Sequence, residues 1–108
     1  MLETLLQSDD VQERCGLILN DGSVVEITNI AEDKTNSYKM SPTEVLPYLD
    51  RVVGTWHTHP DTDPNLSGED YSGFLAWPHL EHSIIGRRGG KVVVTRYRID
   101  NGLVIACD

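Results

Sequence analysis

The stretch from Val52 to Asp70 constrains the fold more than any other part of the chain. Its first part, which ends at His59, is a mostly apolar run with the length and composition of a buried strand. The Asp- and Pro-rich residues 60–66 indicate a loop, and Ser67-Gly-Glu-Asp70 has the pattern of a helix start. A strand, a short loop and a helix in this order predict a mixed α/β protein.

The rest of the sequence predicts short strands joined by tight turns, with a few short helices. Turn residues such as Asn20-Asp21-Gly22 favour hairpins, and Ser41 and Glu44 have the spacing of a capping box. We therefore expect a single α/β domain over residues 1–108, with a mixed, largely antiparallel central sheet flanked by short helices. The remaining strands are predicted at 15–19, 23–28, 80–86, 91–99 and 103–107, and further helices at 2–7 and 41–49.

The composition argues against two classes of partner. The net charge of −8 repels nucleic acids and anionic membrane surfaces, so we expect neither as a partner. No run approaches the roughly 20 apolar residues that a membrane-spanning helix needs. The first ten residues carry acidic groups where a secretion signal carries Lys or Arg, so the sequence predicts a cytoplasmic protein.

His57 and His59 have the spacing that points most directly to chemistry. Alternate side chains of a strand point to the same face, so the two imidazoles should lie side by side. After the loop, Asp70 can supply a third ligand from the first turn of the next helix. Two histidines and a carboxylate, with water in the fourth place, form the donor set of a catalytic zinc site.

Simpler interpretations of the same residues stay open at this point. A His-x-His pair occurs on many ordinary strands, and the Ser67–Asp70 spacing alone is that of a helix cap. Asp61 and Asp63 are alternative carboxylates, although a loop bounded by prolines favours solvated charges. The alternatives concern single residues, and none accounts for the whole pattern.

The pattern as a whole resembles the signature of the JAMM (MPN+) metalloproteases. His57, His59, Ser67 and Asp70 match its fixed positions, which are His-x-His, seven residues, Ser, two residues and Asp. Glu13, followed closely by Cys-Gly-Leu, resembles the early-strand glutamate of bacterial and phage members, such as the N-terminal domain of phage tail-assembly proteins. The resemblance extends over most of the chain and implies a cytidine-deaminase-like fold.

The resemblance also implies a role for each of these residues. His57, His59 and Asp70 would bind Zn2+ together with a water molecule. Glu13 would accept the proton of that water, and Ser67 would donate a hydrogen bond to the developing oxyanion. The implied reaction is hydrolysis of an amide or isopeptide bond by zinc-bound hydroxide. The implied substrate is a protein or peptide tail, such as a ubiquitin-like or phage tail protein, added as a strand to a sheet edge near His57.

Other functions and other residues compete with this interpretation. A non-catalytic MPN-type scaffold or tail-assembly module would keep the fold, but it has no need of the complete residue set. A cysteine peptidase built on Cys15 is disfavoured, because this residue lies in an apolar run. Glu26 is an alternative base, although its alternating strand favours a solvent-facing side chain. His79 and His82 lie beyond the motif, and we expect them to be surface or structural residues.

Overall fold

A six-stranded mixed sheet lies at the centre of the molecule. The structure, a computed structural model, describes residues 2–7 and 9–107. Across the sheet the order is β2-β1-β3-β4-β5-β6, and each described pair of neighbours is antiparallel except β3–β4. The predicted fold class is therefore confirmed. The strands are β1 (Cys15–Leu19), β2 (Val24–Ile27), β3 (Val52–Thr58), β4 (Glu81–Arg88), β5 (Lys91–Asp100) and β6 (Leu103–Ala106).

Short helices flank this sheet. The α-helices are α1 (Pro42–Val45) and α2 (Gly68–Leu75), and α1 continues into a 3-10 turn at Leu46–Tyr48. A further 3-10 helix covers Leu2–Leu5, which is shorter than the predicted helix. α2 lies in the connection between β3 and β4, where parallel strands require a crossover. No helix within the described ranges is long and apolar enough to cross a membrane.

The capping box predicted at the start of α1 is wrong. Ser41 occupies the N-cap position, but its side chain makes no capping hydrogen bond. The carboxylate of Glu44 instead accepts a hydrogen bond from the backbone N–H of Thr28 at 3.0 Å. The local pattern is that of a cap, but a segment distant in sequence satisfies the glutamate.

Alternate residues along the strands pack on opposite faces of the sheet. On the first face, Leu2 and Leu6 cover Trp56 and Ile85. On the second face, one cluster packs beneath α1 and a second cluster packs beneath α2. These clusters are centred on Leu17, Leu19 and Ile27, and on Phe74, Ile84 and Tyr97.

Gly16 allows β1 to lie close to both of its neighbouring strands, β2 and β3. Across the β1–β3 pair, Cys15 lies opposite His57 and Gly16 lies opposite Trp56. A Cβ atom at Gly16 would lie 2.5 Å from the indole nitrogen of Trp56 and would also collide with the carbonyl oxygen of Val25. A side chain at this position would therefore force the strands apart.

Candidate metal centre

Three side chains converge at the C-terminal end of β3. The Nε2 atoms of His57 and His59 lie 3.2 Å apart. Asp70 Oδ1 lies 3.1 Å from Nε2 of His57, and Asp70 Oδ2 lies 3.2 Å from Nε2 of His59. All three residues are buried, with at most 6% of their surface exposed. The helix start thus returns the Asp70 carboxylate to the face on which the strand presents both imidazoles.

The spacing of these donor atoms fits a small tetrahedral metal ion. Zinc–ligand bonds of about 2.0–2.1 Å place neighbouring ligand atoms about 3.4 Å apart in a tetrahedron. The observed separations are 3.1–3.2 Å. Glu13 offers a further carboxylate, because its oxygen and a nitrogen of each imidazole lie within 4.8 Å of one another. The residues present can therefore hold a metal ion through His57, His59 and one or both carboxylates.

A backbone carbonyl orients His59. The Nδ1 atom of this ring lies 2.9 Å from the carbonyl oxygen of Asp63. A carbonyl oxygen only accepts hydrogen bonds, so Nδ1 carries a proton, and Nε2 of the neutral ring is the atom that can bind a metal. Metal-ligating histidines need this arrangement. Burial lowers the pKa of His59, but its hydrogen bonds with the Asp70 carboxylate and the Asp63 carbonyl raise it above the ordinary value. Without a metal, a proton on Nε2 can therefore be donated to Asp70. The side chain of Asp63 lies outside the site and forms a partly exposed pair with Arg88 at 3.3 Å.

The loop that carries this carbonyl is held against β4 and β5. A Cβ atom at Gly86 of β4 would lie 2.5 Å from the carbonyl oxygen of Thr62, so the loop can approach β4 only because no side chain is present there. Three hydrogen bonds attach the loop: Arg87 N to Thr62 O at 2.8 Å, Arg87 Nε to Pro60 O at 3.1 Å, and Tyr97 Oη to Pro64 O at 3.0 Å. The position of the Asp63 carbonyl thus depends on strands that follow it in the chain.

Ring packing, rather than a second hydrogen bond, holds His57. The ring stacks on Tyr38 with a centroid distance of 4.2 Å and an interplanar angle of 24°. Its Nδ1 atom has no hydrogen-bond partner among the described residues. Burial lowers the pKa of His57, which favours the neutral ring that metals bind.

Asp70 is also part of a capping box at the start of α2. Its backbone N–H donates to Ser67 Oγ at 3.1 Å, and the N–H of Ser67 donates to Asp70 Oδ2 at 3.2 Å. Burial alone would raise the pKa of Asp70, but hydrogen bonds with the two histidines lower it below its ordinary value. The Ser67 hydroxyl accepts the capping bond, which leaves its own proton for donation. Capping is therefore compatible with a second role for either residue.

The β1–β3 register places Glu13 beside His59. Cys15 lies opposite His57 in this antiparallel pair. Glu13, two residues before Cys15, therefore lies beside His59, two residues after His57. Burial, together with the nearby carboxylate of Asp70, raises the pKa of Glu13 to about 7, against an opposing effect of His59. Glu13, His59 and Ser67 line a cavity of about 210 Å³.

Sequence reasoning missed the role of Asn29 in fixing this glutamate. The amide nitrogen of Asn29 donates to the carbonyl oxygens of Glu13 at 2.8 Å and Ser37 at 3.1 Å. Its side-chain oxygen accepts from the backbone N–H groups of Ala31 and Lys39, each at 3.0 Å. A single half-buried asparagine thus ties residues 30–40 to the start of β1. In the sequence, Asn29 and the run towards Tyr38 and Met40 resemble the linking segment of the metalloprotease family, but that resemblance did not indicate these hydrogen bonds.

The alternative candidates lie outside the centre. Glu26 is exposed and pairs with Arg14 at 2.8 Å, and His79 is also exposed. Burial raises the pKa of the Cys15 thiol to about 12, so this cysteine is a poor nucleophile. His82 is buried and hydrogen-bonded within the fold.

A substrate strand cannot pair with β3 itself, so strand addition at a sheet edge near His57 stays a prediction for the edge strand β2, which lies beyond β1. β3 has β1 on one side and β4 on the other, so both of its backbone edges are already paired. The edges of the described sheet are β2 and β6, and neither carries a residue of the centre. The sequence predicted a strand here but could not indicate its place in the sheet.

Known proteins resemble this chain in both sequence and fold. A protein named Desampylase from Haloferax volcanii is 27% identical over 94 residues, an alignment that covers 75% of this chain and 67% of that protein. A solution structure from Desulfitobacterium hafniense superimposes with a TM-score of 0.76 at 24% identity, covering 99% of this chain and 83% of the other. A solution structure from Salinibacter ruber has a TM-score of 0.53 at 20% identity, with coverage of 94% and 78%. At these identities the two structures support the fold alone.

The family comparison covers most of the chain. Residues 3–100 match the model described as prokaryotic homologs of the JAB domain. This range contains the strand, the loop and the helix start that form the centre, as well as Glu13, two residues before β1. The chain therefore belongs to the prokaryotic homologs of the JAB domain.

Proposed function

We propose that this protein is a zinc-dependent isopeptidase or peptidase. The observation that carries the proposal is the convergence of two buried imidazoles and the Asp70 carboxylate within 3.2 Å of one another. A catalytic zinc site uses three such ligands and keeps a fourth position open. The neighbouring cavity, which Glu13 and Ser67 line, provides space at that position.

The chain's own residues supply the acid–base steps of an amide hydrolysis. His57, His59 and Asp70 would hold the zinc ion, which would supply the Lewis acidity that activates water near neutral pH. Glu13 takes one proton from the attacking water as the C–O bond forms. It then gives this proton to the leaving amine as the C–N bond breaks. The Ser67 hydroxyl donates a hydrogen bond to the oxyanion, a contribution typically worth about 3 kcal/mol.

The proposed substrate is a ubiquitin-like protein joined through its tail to another chain. The similarity to the protein named Desampylase favours a protein conjugate as the substrate, rather than a phage tail protein. The net charge of −8 is consistent with a protein partner rather than a nucleic acid. We propose that residues 1–108 act in the cytoplasm as one catalytic domain.

Metal analysis combined with cleavage assays tests this function. We expect the purified protein to bind one equivalent of zinc and to cleave an isopeptide between a ubiquitin-like tail and a lysine-containing reporter peptide. Glu13→Gln should keep the zinc and lose at least about 100-fold in kcat, because it removes the general base. Glu26→Gln, which changes the exposed alternative base, should keep full activity.

Two outcomes would contradict the proposal. A Glu13→Gln variant that loses its zinc would identify Glu13 as a ligand rather than the base. A wild-type protein that binds no zinc but forms a stoichiometric complex with another protein would favour the scaffold interpretation instead.

A further inference from the structure

A cavity of about 520 Å³ adjoins the candidate metal centre on the second face of the sheet. This volume lies within the range of about 300–1,000 Å³ that is usual for ligand pockets. The cavity lies between α1 and α2, and its lining includes residues from both helices and from the strands beneath them. The catalytic steps proposed above do not use this space.

The polar side chains in the floor of this cavity bond to protein groups rather than to a ligand. Thr55 Oγ1 lies 2.7 Å from Nδ1 of His82, and Nε2 of His82 lies 3.1 Å from the carbonyl oxygen of Trp77. Nε2 therefore donates to the carbonyl in the neutral ring, and Nδ1 accepts from the threonine hydroxyl. A polar ligand would lose hydrogen bonds to water without gaining partners here. The floor therefore favours an apolar occupant.

The walls are also apolar and accessible. Leu46 is 66% exposed, and Leu49 and Trp77 are each 44% exposed, although all three are large apolar side chains. All three line the cavity, two from the side of α1 and one from the end of α2. Exposed apolar side chains gathered around a concave space are typical of a binding site.

The cavity is continuous with the metal centre. Ser67 and Asp70 belong to its lining as well as to the centre. Gly73, also in the lining, follows Asp70 by three residues, which is about 4.5 Å along a helix. An extended polypeptide advances about 3.3–3.6 Å per residue. A side chain one or two residues from a bond held at the centre would therefore reach the cavity.

We propose that this cavity binds a large apolar side chain of the polypeptide that is cleaved. This proposal rests on the hydrolytic function proposed above. That side chain lies one or two residues from the scissile amide. The cavity thus makes Leu46, Gly73 and Trp77 specificity-determining residues, and the preferred substrates carry a residue such as Leu or Met at this position.

The substitution Gly73→Leu offers a direct test. A Cβ atom at Gly73 would meet no other atom within 4 Å, and Gly73 lines the cavity, so we expect the leucine side chain to extend into this space. Leucine is also the better helix former, so the variant should be at least as stable as the wild type. Gly68→Leu is the matched control, because Gly68 is equally unobstructed on the same helix but does not line the cavity.

The probes are capped, isopeptide-linked peptides that differ only in carrying Leu or Gly at each position near the scissile bond. We measure kcat/KM by mass spectrometry and Kd by calorimetry on the zinc-loaded proteins. At one position the wild type and Gly68→Leu should prefer the Leu peptide at least about tenfold. Gly73→Leu should lose this preference, so that its kcat/KM values for the Leu and Gly peptides at that position agree within about twofold.

Each outcome either supports the cavity assignment or overturns it. The assignment is overturned if no position shows a preference for Leu, or if the preference persists in Gly73→Leu. Cleavage without any apolar preference would support the proposed hydrolysis and contradict only the role of the cavity. If Leu peptides bind more tightly in a way that depends on Gly73 but are not cleaved, the role of the cavity is supported and the proposed hydrolysis is contradicted.

Discussion

At the scale of single residues, Asp70 caps a helix and also faces both histidines of the candidate metal centre. Its Oδ2 atom accepts from the Ser67 backbone N–H at 3.2 Å, while the same carboxylate faces both histidines. A carboxylate has enough lone pairs for both tasks. The two functions can be separated, because a cap needs only one acceptor oxygen, whereas a metal ligand benefits from the negative charge.

The substitution Asp70→Asn should therefore weaken zinc binding far more than it weakens the fold. We expect the zinc Kd to rise roughly 100-fold or more, since even changes outside the ligand set cost 10–100-fold. The free energy of unfolding, measured by urea titration without metal, should fall less, by about 1–2 kcal/mol. The asparagine oxygen can still accept the N–H of Ser67, whereas the contacts with the two histidines lose the negative charge. Comparable losses in both measurements would mean that Asp70 is only a cap.

His82 shows how a buried histidine can serve the fold alone. It stacks on Phe74 at a centroid distance of 4.2 Å and bonds to Thr55 and to the Trp77 carbonyl. Burial lowers its pKa below the ordinary 6.5, with smaller contributions from His57 and His79. The unfolded chain thus takes up a proton near pH 6.5 that the folded protein resists, so stability is complete above that pH and falls below it.

This linkage predicts a pH dependence that can be assigned to His82. Between pH 7.5 and pH 5.5, the free energy of unfolding of the wild type should fall more than that of His82→Gln. Both proteins are measured by urea titration with a chelator present, so that metal release does not contribute. Identical slopes would show that His82 does not resist protonation in the folded state.

At the scale of elements, strands β4 and β5 determine the orientation of His59, which directly follows β3. The Asp63 carbonyl meets His59 only because Gly86 admits the loop and Tyr97 holds its end at 3.0 Å. The loop is thus a positioning element for the metal centre, and changes on distant strands should alter metal affinity.

We expect both Gly86→Ala and Tyr97→Phe to raise the zinc Kd. The increase should be about 10–100-fold for Gly86→Ala, because the new methyl group displaces the loop. It should be smaller for Tyr97→Phe. Phenylalanine keeps the ring packing and removes only the hydroxyl that reaches Pro64. Arg88→Gln is the control, because Arg88 contacts the same loop only through an exposed ion pair and should change neither affinity nor stability. Unchanged affinity in Gly86→Ala would show that the loop does not position His59.

At the scale of the whole molecule, the candidate metal centre and the large cavity lie on one face of the sheet, and a separate core cluster lies on the other. On the first face, the N-terminal residues Leu2 and Leu6 pack on Trp56 and Ile85. The second face carries both α-helices, the metal centre and the large cavity. The core cluster around Trp56 is therefore separated from the site by the sheet, whereas the other two core clusters lie on the same face as the site.

Leu6→Ala should accordingly destabilise the protein without changing its zinc affinity. Leu6 is 6% exposed, and truncation of a buried leucine costs about 2–5 kcal/mol. The zinc Kd, measured well below the unfolding midpoint, should stay within about twofold of the wild-type value. Val11→Ala, at a position 66% exposed, provides a control that should change neither quantity. A large change in zinc affinity in Leu6→Ala would mean that the two faces are coupled.

Much of the architecture could be predicted, because hydrophobic periodicity and turn residues act over short distances. The strands and the α2 helix lie close to their predicted bounds, and the capping box of Ser67 and Asp70 forms as expected. The capping box at Ser41 fails because Glu44 finds a partner on a different segment. Nothing in the local sequence of Asp63 indicates that its carbonyl would meet an imidazole.

Local chemistry in the sequence determined the donor types, their common face on β3 and the helix start that returns Asp70. Strand alternation and capping involve residues only two or three positions apart, so the sequence suffices for them. Only the tertiary structure decided the β1–β3 register that brings Glu13 to His59, the enclosure of β3 between two strands, and the cavity between α1 and α2. These features depend on which distant segments pair and pack, and their energies are summed over the whole sheet rather than over any local pattern.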